Sequence, residues 1–173
     1  GSGIGRALAL QLNAQGCSLW LSDINEDNLE QTRALLSRQS LPIDTQVVDV
    51  ADRDSVHAWA QRIEENATHV DLLINNAGVA LMATVEENRY EDLEWLMNIN
   101  FWGVVHGTKA FLPLLRKSRQ GHLVNISSVF GMIAVPTQSA YNAAKFAVRG
   151  YTEALRHEMA DTNIHVMCVH PGG

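Results

Sequence analysis

Apolar positions along this chain switch repeatedly between helical spacing and short strand-like runs. After a glycine-rich start, residues 6–13 carry their apolar side chains at helical spacing, and Gly16 closes that predicted helix. Residues 17–22 form a short apolar run ending in Asp23, the pattern of a buried strand with an acid at its carboxyl end. Leu29, Thr32/Arg33 and Leu36 share one face of an amphipathic helix predicted over 26–40, and Pro42 separates it from a strand over 45–49. Asp52 is placed to cap a helix over 53–66. A third strand over 70–74 runs into the polar turn Asn75-Asn76-Ala77-Gly78. Residues 88–117 read as a long, mostly helical segment that Gly121 ends. A strand over 122–127, a helix over 139–161 lined with small residues, and a last strand over 164–169 follow, the last closed by Pro171-Gly172-Gly173.

Strand and helix thus alternate with no composition break, which predicts βαβ units, a doubly wound parallel sheet of Rossmann type in an α/β/α arrangement, and one domain over 1–173. Such sheets bind ligands outside the carboxyl ends of their strands. The polar features of this chain collect there: the glycine turn, Asp23, Asp49, Asn75-Asn76, Ser127/Ser128 and Pro171-Gly172.

Composition narrows the choice. Hydrophobic residues make up 46% of the 173 and charged residues 18%, as in ordinary globular proteins. A net charge of -6 with no Lys/Arg cluster argues against nucleic acid and anionic membranes as partners. Cys17 and Cys168 read as free core thiols, and seven scattered histidines without HExxH or CxxC predict no metal site. No secretory signal opens the chain, although its first residues already read as the middle of a motif; a cytoplasmic location is the expectation.

Two stretches carry candidate chemistry. Between Ser128 and Lys145 a hydroxyl follows an apolar run, and the phenol of Tyr141 precedes the ammonium of Lys145 by four residues. Positions i and i+4 share a helix face. A lysine held beside a phenol favours the phenolate, which suits proton transfer to or from a substrate oxygen. At the other end of the chain, Ser2-Gly3-Ile4-Gly5 opens a helix whose free N–H groups and positive dipole end suit a phosphate.

Taken together and in order, Gly3-Ile4-Gly5, Asn75-Asn76-Ala77-Gly78, Asn100 within Met97-Asn-Ile-Asn-Phe-Trp-Gly103, Ser128, Tyr141/Lys145 and Pro171-Gly172 resemble the standard-length, single-domain branch of the short-chain dehydrogenase/reductase family. Two features depart from that pattern. The leading Thr-Gly and the first strand are missing, and the chain stops at Gly173, where the family continues. In the strand order 3-2-1-4-5-6 the first strand is central. The expectation is therefore a segment of a longer enzyme, truncated at both ends.

The resemblance implies an oxidoreductase that moves a hydride between NAD and a carbonyl or secondary alcohol. Tyr141 would be its general acid/base, Lys145 would tune the phenol and hold the nicotinamide ribose, Ser128 would bind the substrate oxygen, and Asn100 would join Lys145 to a proton-relay water. Ser127 rivals Ser128, but the thirteen-residue step from Ser128 to Tyr141 fits the family better, and adjacent strand-end residues face opposite sides. Asn100 alternatively satisfies backbone groups at a helix kink. For the cofactor, Ser2, Gly3, Ile4 and Gly5 would approach the pyrophosphate. Asp23, eighteen residues beyond Gly5, would accept the adenine ribose hydroxyls and repel a 2′-phosphate. With no compensating arginine beside it, NAD is expected over NADP. Asp49 and Val50 would line the adenine, Asn76, Ala77 and Gly78 the adenosine ribose side, and Pro171-Gly172 the nicotinamide, while Asn75 reads as structural. A homodimer or homotetramer is implied, with the aromatic residues between 95 and 115 serving core and subunit packing. Rival readings are an NAD-using epimerase or dehydratase and a non-catalytic dinucleotide-sensing or scaffold protein.

Overall fold

The computed structural model describes residues 1–172; Gly173, which the sequence places in the closing turn, lies outside the described residues. The described residues form five strands and six α-helices, which alternate except where two of the helices follow one another. They run α1 (Gly3–Ala14), β1 (Leu19–Asp23), α2 (Glu26–Leu35), β2 (Ile43–Val47), α3 (Arg53–Asn66) and β3 (Leu72–Asn75). Then come α4 (Tyr90–Met97), a π-helical turn (Asn98–Trp102), α5 (Gly103–Lys117), β4 (Gly121–Ile126), α6 (Ser139–Glu158) and β5 (Ile164–Val169). Every strand pairing is parallel, as expected where helices cross between strands. The strands form two ladders, β1–β2 and β3–β4–β5, and the break between β1 and β3 falls where the strand order above puts a first strand.

Local sequence explains most boundaries. Gly16 takes φ +96 just beyond α1, the left-handed stop that glycine supplies most readily. Asp52 caps α3 by accepting from the Asp54 amide at 3.0 Å. Strands β1 and β3 and helix α6 differ from their predicted bounds by one to three residues, and three further elements differ for identifiable reasons. Helix α2 ends at Leu35 because Leu36 is buried against α1 and the Arg38 backbone is held by the Asn13 side chain at 2.7 and 3.2 Å. Strand β2 runs two residues earlier than predicted, since Asp49 turns the chain by accepting the Ala51 amide on its carboxylate and the Asp52 amide on its carbonyl. The 88–117 segment is helical from Tyr90 onward, but it passes through a π turn at Asn98–Trp102.

The main core lies between the β3–β4–β5 ladder and the helices packed on it: Ile63 from α3, Phe111, Leu114 and Leu115 from α5, Leu123 from β4, and Leu155 from α6. The aromatic segment divides accordingly. Phe111 is buried, whereas Trp95 and Trp102 each stay 47% exposed. Truncating a core side chain on the central strand tests this arrangement. Leu123→Ala in the full-length protein should lower the unfolding free energy by about 2–5 kcal/mol in chemical denaturation; a loss below about 1 kcal/mol would show that β4 is not packed as described.

Candidate active site

Helix α6 delivers two of the predicted groups. Its entry is set by Thr137 at φ 63, and by Asn142, whose Nδ2 donates to the Val135 carbonyl at 3.0 Å. Tyr141 lies half-buried in the first turn, packed on the Leu96, Ala140 and Ala144 cluster, with its ring edge-on to Phe130 at 6.3 Å. One turn on, Lys145 is only 3% exposed. Its Nζ donates to the Ile126 carbonyl at 2.9 Å and stands 5.6 Å from the centre of the Tyr141 ring, within cation–π range. The predicted pairing of ammonium and phenol on one helix face is therefore present.

Burial pulls the Lys145 ammonium down to about 8, with the nearby Cys168 sulfur acting weakly in the opposite sense. No carboxylate accompanies it among the described residues. One of its three N–H groups is engaged with protein, which leaves two donors for a bound molecule.

The two adjacent serines part ways, as strand geometry requires. Ser127 Oγ donates to the Lys145 carbonyl at 2.9 Å and is fully enclosed. Ser128 Oγ accepts the Phe130 amide at 3.1 Å as the cap of a 3₁₀ turn, Val129–Gly131, so its own proton is free to be donated. Pro171 is tied to this point by its carbonyl, which accepts the Val129 amide at 3.1 Å. Thus Ser128 and Pro171-Gly172 meet at the carboxyl ends of β4 and β5.

Asn100 sits in the middle of the π turn, wholly buried. Its amide closes a two-bond ring with Val79, accepting from N and donating to O, both at 2.8 Å. The side chain therefore satisfies both backbone groups of Val79, the residue that follows the Asn75–Gly78 turn, at the helix irregularity. Gly78 lies beside it, and a Cβ there would stand 3.3 Å from Asn100 Oδ1 and 3.5 Å from Lys145 Nζ. The other end of the same turn reaches α1, where a Cβ on Gly5 would come 3.0 Å from Asn76 Nδ2. Ala77, between them, is exposed. Asn75 faces inward to Asn125 and Thr108, a structural position.

At the glycine turn, Ser2, Gly3 and Ile4 are exposed, and Gly3 takes φ +51. Ser2 makes no side-chain cap, so the first N–H groups of α1 are left for an anion. Asp23, at the end of β1, meets this turn directly, its Oδ2 lying 2.7 Å from the Gly1 nitrogen. Exposed Asp49 and half-buried Val50 follow β2. Val50 is held against α5, by His106 Nδ1 at 3.1 Å from its carbonyl and by close contact with Gly103. An anion-accepting helix end, a carboxylate beside it and spare buried donors on Lys145 fit a dinucleotide lying along one edge.

The family model for short chain dehydrogenase matches residues 1–173. The chain belongs to the short-chain dehydrogenase/reductase family. A Mycobacterium tuberculosis protein called SadH is 51% identical over 175 residues, covering 100% of this chain and 63% of its own length. The 3-oxoacyl-[acyl-carrier-protein] reductase FabG of Thermotoga maritima is 34% identical, with 99% and 70% covered. Among solved structures, levodione reductase superimposes with a TM-score of 0.94 at 32% identity, covering 99% of this chain and 67% of that one. A short-chain dehydrogenase/reductase from Burkholderia phymatum, in complex with NAD, gives 0.93 at 33% identity, with 98% and 62% covered. The chain thus spans about three-fifths of the length of SadH and of the Burkholderia protein.

Two contacts of this dehydrogenase/reductase site lay outside the sequence reading. The Ser127 bond to the Lys145 carbonyl was foreshadowed only by the rule that neighbouring strand residues diverge. His106 on the Val50 carbonyl had no sequence signal, because its partner is 56 residues away.

The buried ammonium makes a thermodynamic prediction. A displacement from 10.5 to about 8 represents a burial penalty on the order of 3 kcal/mol. The penalty is fully present below the folded value. It is relieved as pH rises from about 8 to 10.5, where the unfolded chain still holds a proton that the folded chain has released. Lys145→Met removes the charge and leaves the Ile126 carbonyl short of a donor, an offset of about 1 kcal/mol. Its Tm should exceed that of the wild type by roughly 3–6 °C near pH 7, with the difference closing by about pH 10 in thermal melts. A variant that melts lower at neutral pH would contradict the burial described for Lys145.

Proposed function

We propose that the full-length protein is an NAD-dependent oxidoreductase acting on a carbonyl or secondary-alcohol carbon, with Tyr141 as general acid in reduction and general base in oxidation. The observation that carries this reading is the Lys145 ammonium held over the Tyr141 ring, buried and with two donors to spare. NAD(H), when bound, supplies or accepts the hydride at its nicotinamide ring.

In the reductive direction the Tyr141 hydroxyl gives its proton to the substrate oxygen, and Ser128 Oγ donates a hydrogen bond to the same oxygen as negative charge develops on it. Lys145 stabilises the phenolate left behind, and its remaining N–H groups hold the nicotinamide ribose hydroxyls. Asn100 fixes the turn beside Lys145 and takes its place in the relay that returns a proton to Tyr141.

The exposed start of α1, with Ser2, Gly3, Ile4 and Gly5, takes the pyrophosphate. Asp23 would accept the adenosine ribose hydroxyls, and its negative charge, ion-paired to no arginine among the described residues, would disfavour a 2′-phosphate. Val50 and Asp49 would flank the adenine, Asn76, Ala77 and Gly78 would lie on the adenosine ribose side, and Pro171-Gly172 would approach the nicotinamide. The exposed side chains of Trp95, Trp102 and Phe146, on helices that pack together, support a homo-oligomer joined through this face.

Turnover comes from a screen of NADH oxidation with ketones, sugars, acyl thioesters and steroids. On whichever substrate responds, Tyr141→Phe should lower kcat by at least about 100-fold and leave the NADH dissociation constant within about threefold of the wild type. Undiminished turnover would remove Tyr141 from the mechanism. Asp23→Asn should reduce the preference for NAD over NADP by about tenfold in kcat/KM; a wild-type protein that already prefers NADP would overturn the role given to Asp23.

A further inference from the structure

Asn75, Asn125 and Cys168 occupy one register level of the β3–β4–β5 ladder, each the partner of the next. Residues at one level of a parallel sheet project from the same face, so these three make a polar row across it. The row lies under α5 and α6 and is bonded to both. Asn75 Nδ2 donates to Asn125 Oδ1 at 2.8 Å and to Thr108 Oγ1 on α5 at 3.3 Å. Asn125 Nδ2 donates to Thr152 Oγ1 on α6 at 3.0 Å, and Thr152 Oγ1 donates to the Val148 carbonyl at 2.6 Å. Asn125, Thr152 and Thr108 are all at most 1% exposed. Helix α5 comes so close at Gly107 that a Cβ there would collide with the Asn75 amide.

Well-packed apolar residues would hold the same elements together at least as stably. What a saturated polar row adds is direction: an apolar face lets a helix slide slightly, whereas bonds of this length fix its height. The height concerned is that of the reactive helix. Three consecutive residues, the last two of β4 and the one after it, each grip α6: Asn125 takes Thr152, the Ile126 carbonyl takes Lys145 Nζ, and Ser127 takes the Lys145 carbonyl. Thr152 lies seven residues beyond Lys145, two turns along the same helix face.

We propose that Asn125 and Thr152 are positioning residues, a clamp on α6 that holds Lys145, and with it Tyr141, at the height their pairing requires. The role given to that pair rests on the function proposed above; the clamp itself does not need a cofactor to be tested.

In the full-length protein, Thr152→Val keeps shape and removes the hydroxyl, and Thr152→Ser keeps the hydroxyl. Asn125→Leu/Thr152→Val replaces both partners by apolar groups, which restores stability where single truncation leaves a buried donor unmet. Two measurements need no substrate: Tm as a function of pH between about 7 and 10, which reads whether Lys145 remains buried, and NADH affinity by fluorescence. Thr152→Val should lose the alkaline gain in Tm and weaken NADH binding by about fivefold, and Thr152→Ser should recover both. The double variant should match the wild-type Tm near neutral pH yet still lack the alkaline gain and the NADH affinity. Its kcat should stay at least about tenfold down with KM little changed.

A double variant that recovers the alkaline gain and the affinity along with Tm would reduce the row to packing and overturn the proposal. So would a Thr152→Val protein indistinguishable from the wild type. Should Thr152→Val fail to fold, the double variant and Thr152→Ser decide between the same outcomes. A wild type that binds no NADH would instead refute the functional reading, and the pH-dependent melts would still decide the clamp.

Discussion

One ammonium buried without a counter-charge governs the arrangement around it. Lys145 is enclosed to 97% (its exposure is 3%), touches a main-chain carbonyl and lies over an aromatic face. A charge in that setting is unfavourable and would be rehydrated by a small outward movement of its helix. The surroundings oppose that movement at several points. Small residues at Ala140 and Ala144 let α6 approach closely, and Gly131 leaves no room between the Ser127 hydroxyl and the Lys145 backbone for any side chain. Asn125 at the end of β4 and Ser127 just beyond it then fasten the helix from below. Retaining a group at the expense of stability is a common signature of a functional site, where pKa tuning and geometry outrank packing.

The second organising piece is the turn from Asn75 to Gly78. It is short, yet its ends reach both the glycine turn and the Lys145 ammonium: Asn76 lies against Gly5 of α1, and Gly78 lies beside Asn100 and Lys145. Asn100 secures it through both main-chain groups of Val79. The π turn is what permits this, because the extra residue in the helical ladder rotates Asn100 inward while α4 and α5 continue on their own courses. A shift of the turn would therefore be felt at the phosphate end and the proton-transfer end together.

Much of this was legible in the order of residues. The parallel α/β class, the Asp52 cap, the glycine-terminated first helix and the Tyr141/Lys145 pairing follow from periodicity, capping and i, i+4 geometry, all local properties. What escaped depends on partners far along the chain. Helix α2 stops early because Asn13 holds Arg38, a decision no window around residue 36 contains. The π turn is set by Val79, 21 residues away from Asn100. Strand β2 shifts because a local Asx turn at Asp49 competes with the ladder, and here the sequence held the signal but alternation outweighed it. The Ser127/Ser128 alternatives could be narrowed to one by strand geometry, yet only the structure says what the inward serine grips.

The two ladders also divide the proposed chemistry. Asp23 stands on β1, and the Asp49-Val50 loop follows β2, so groups that would sense the adenosine end belong to one ladder. Ser128, Lys145 and Pro171 gather at the ends of β4 and β5, on the other. Between them, among the described residues, runs no strand pairing; α1 meets the Asn75–Gly78 turn, and Val50 meets His106 and Gly103 of α5. Asp23 bonds to Gly1 and Asn25 and makes no hydrogen bond or ion pair with Tyr141 or Lys145 among the described residues, so under the proposed function its charge would act on the dinucleotide; residues that are in neither contact nor a shared network usually contribute additively. On this geometry, cofactor preference can change by substitution at the end of β1 while the acid/base pair keeps its environment. The converse does not hold: anything that lets α6 rise also moves Lys145, the one side chain that belongs to both the proton-transfer pair and the proposed ribose contact.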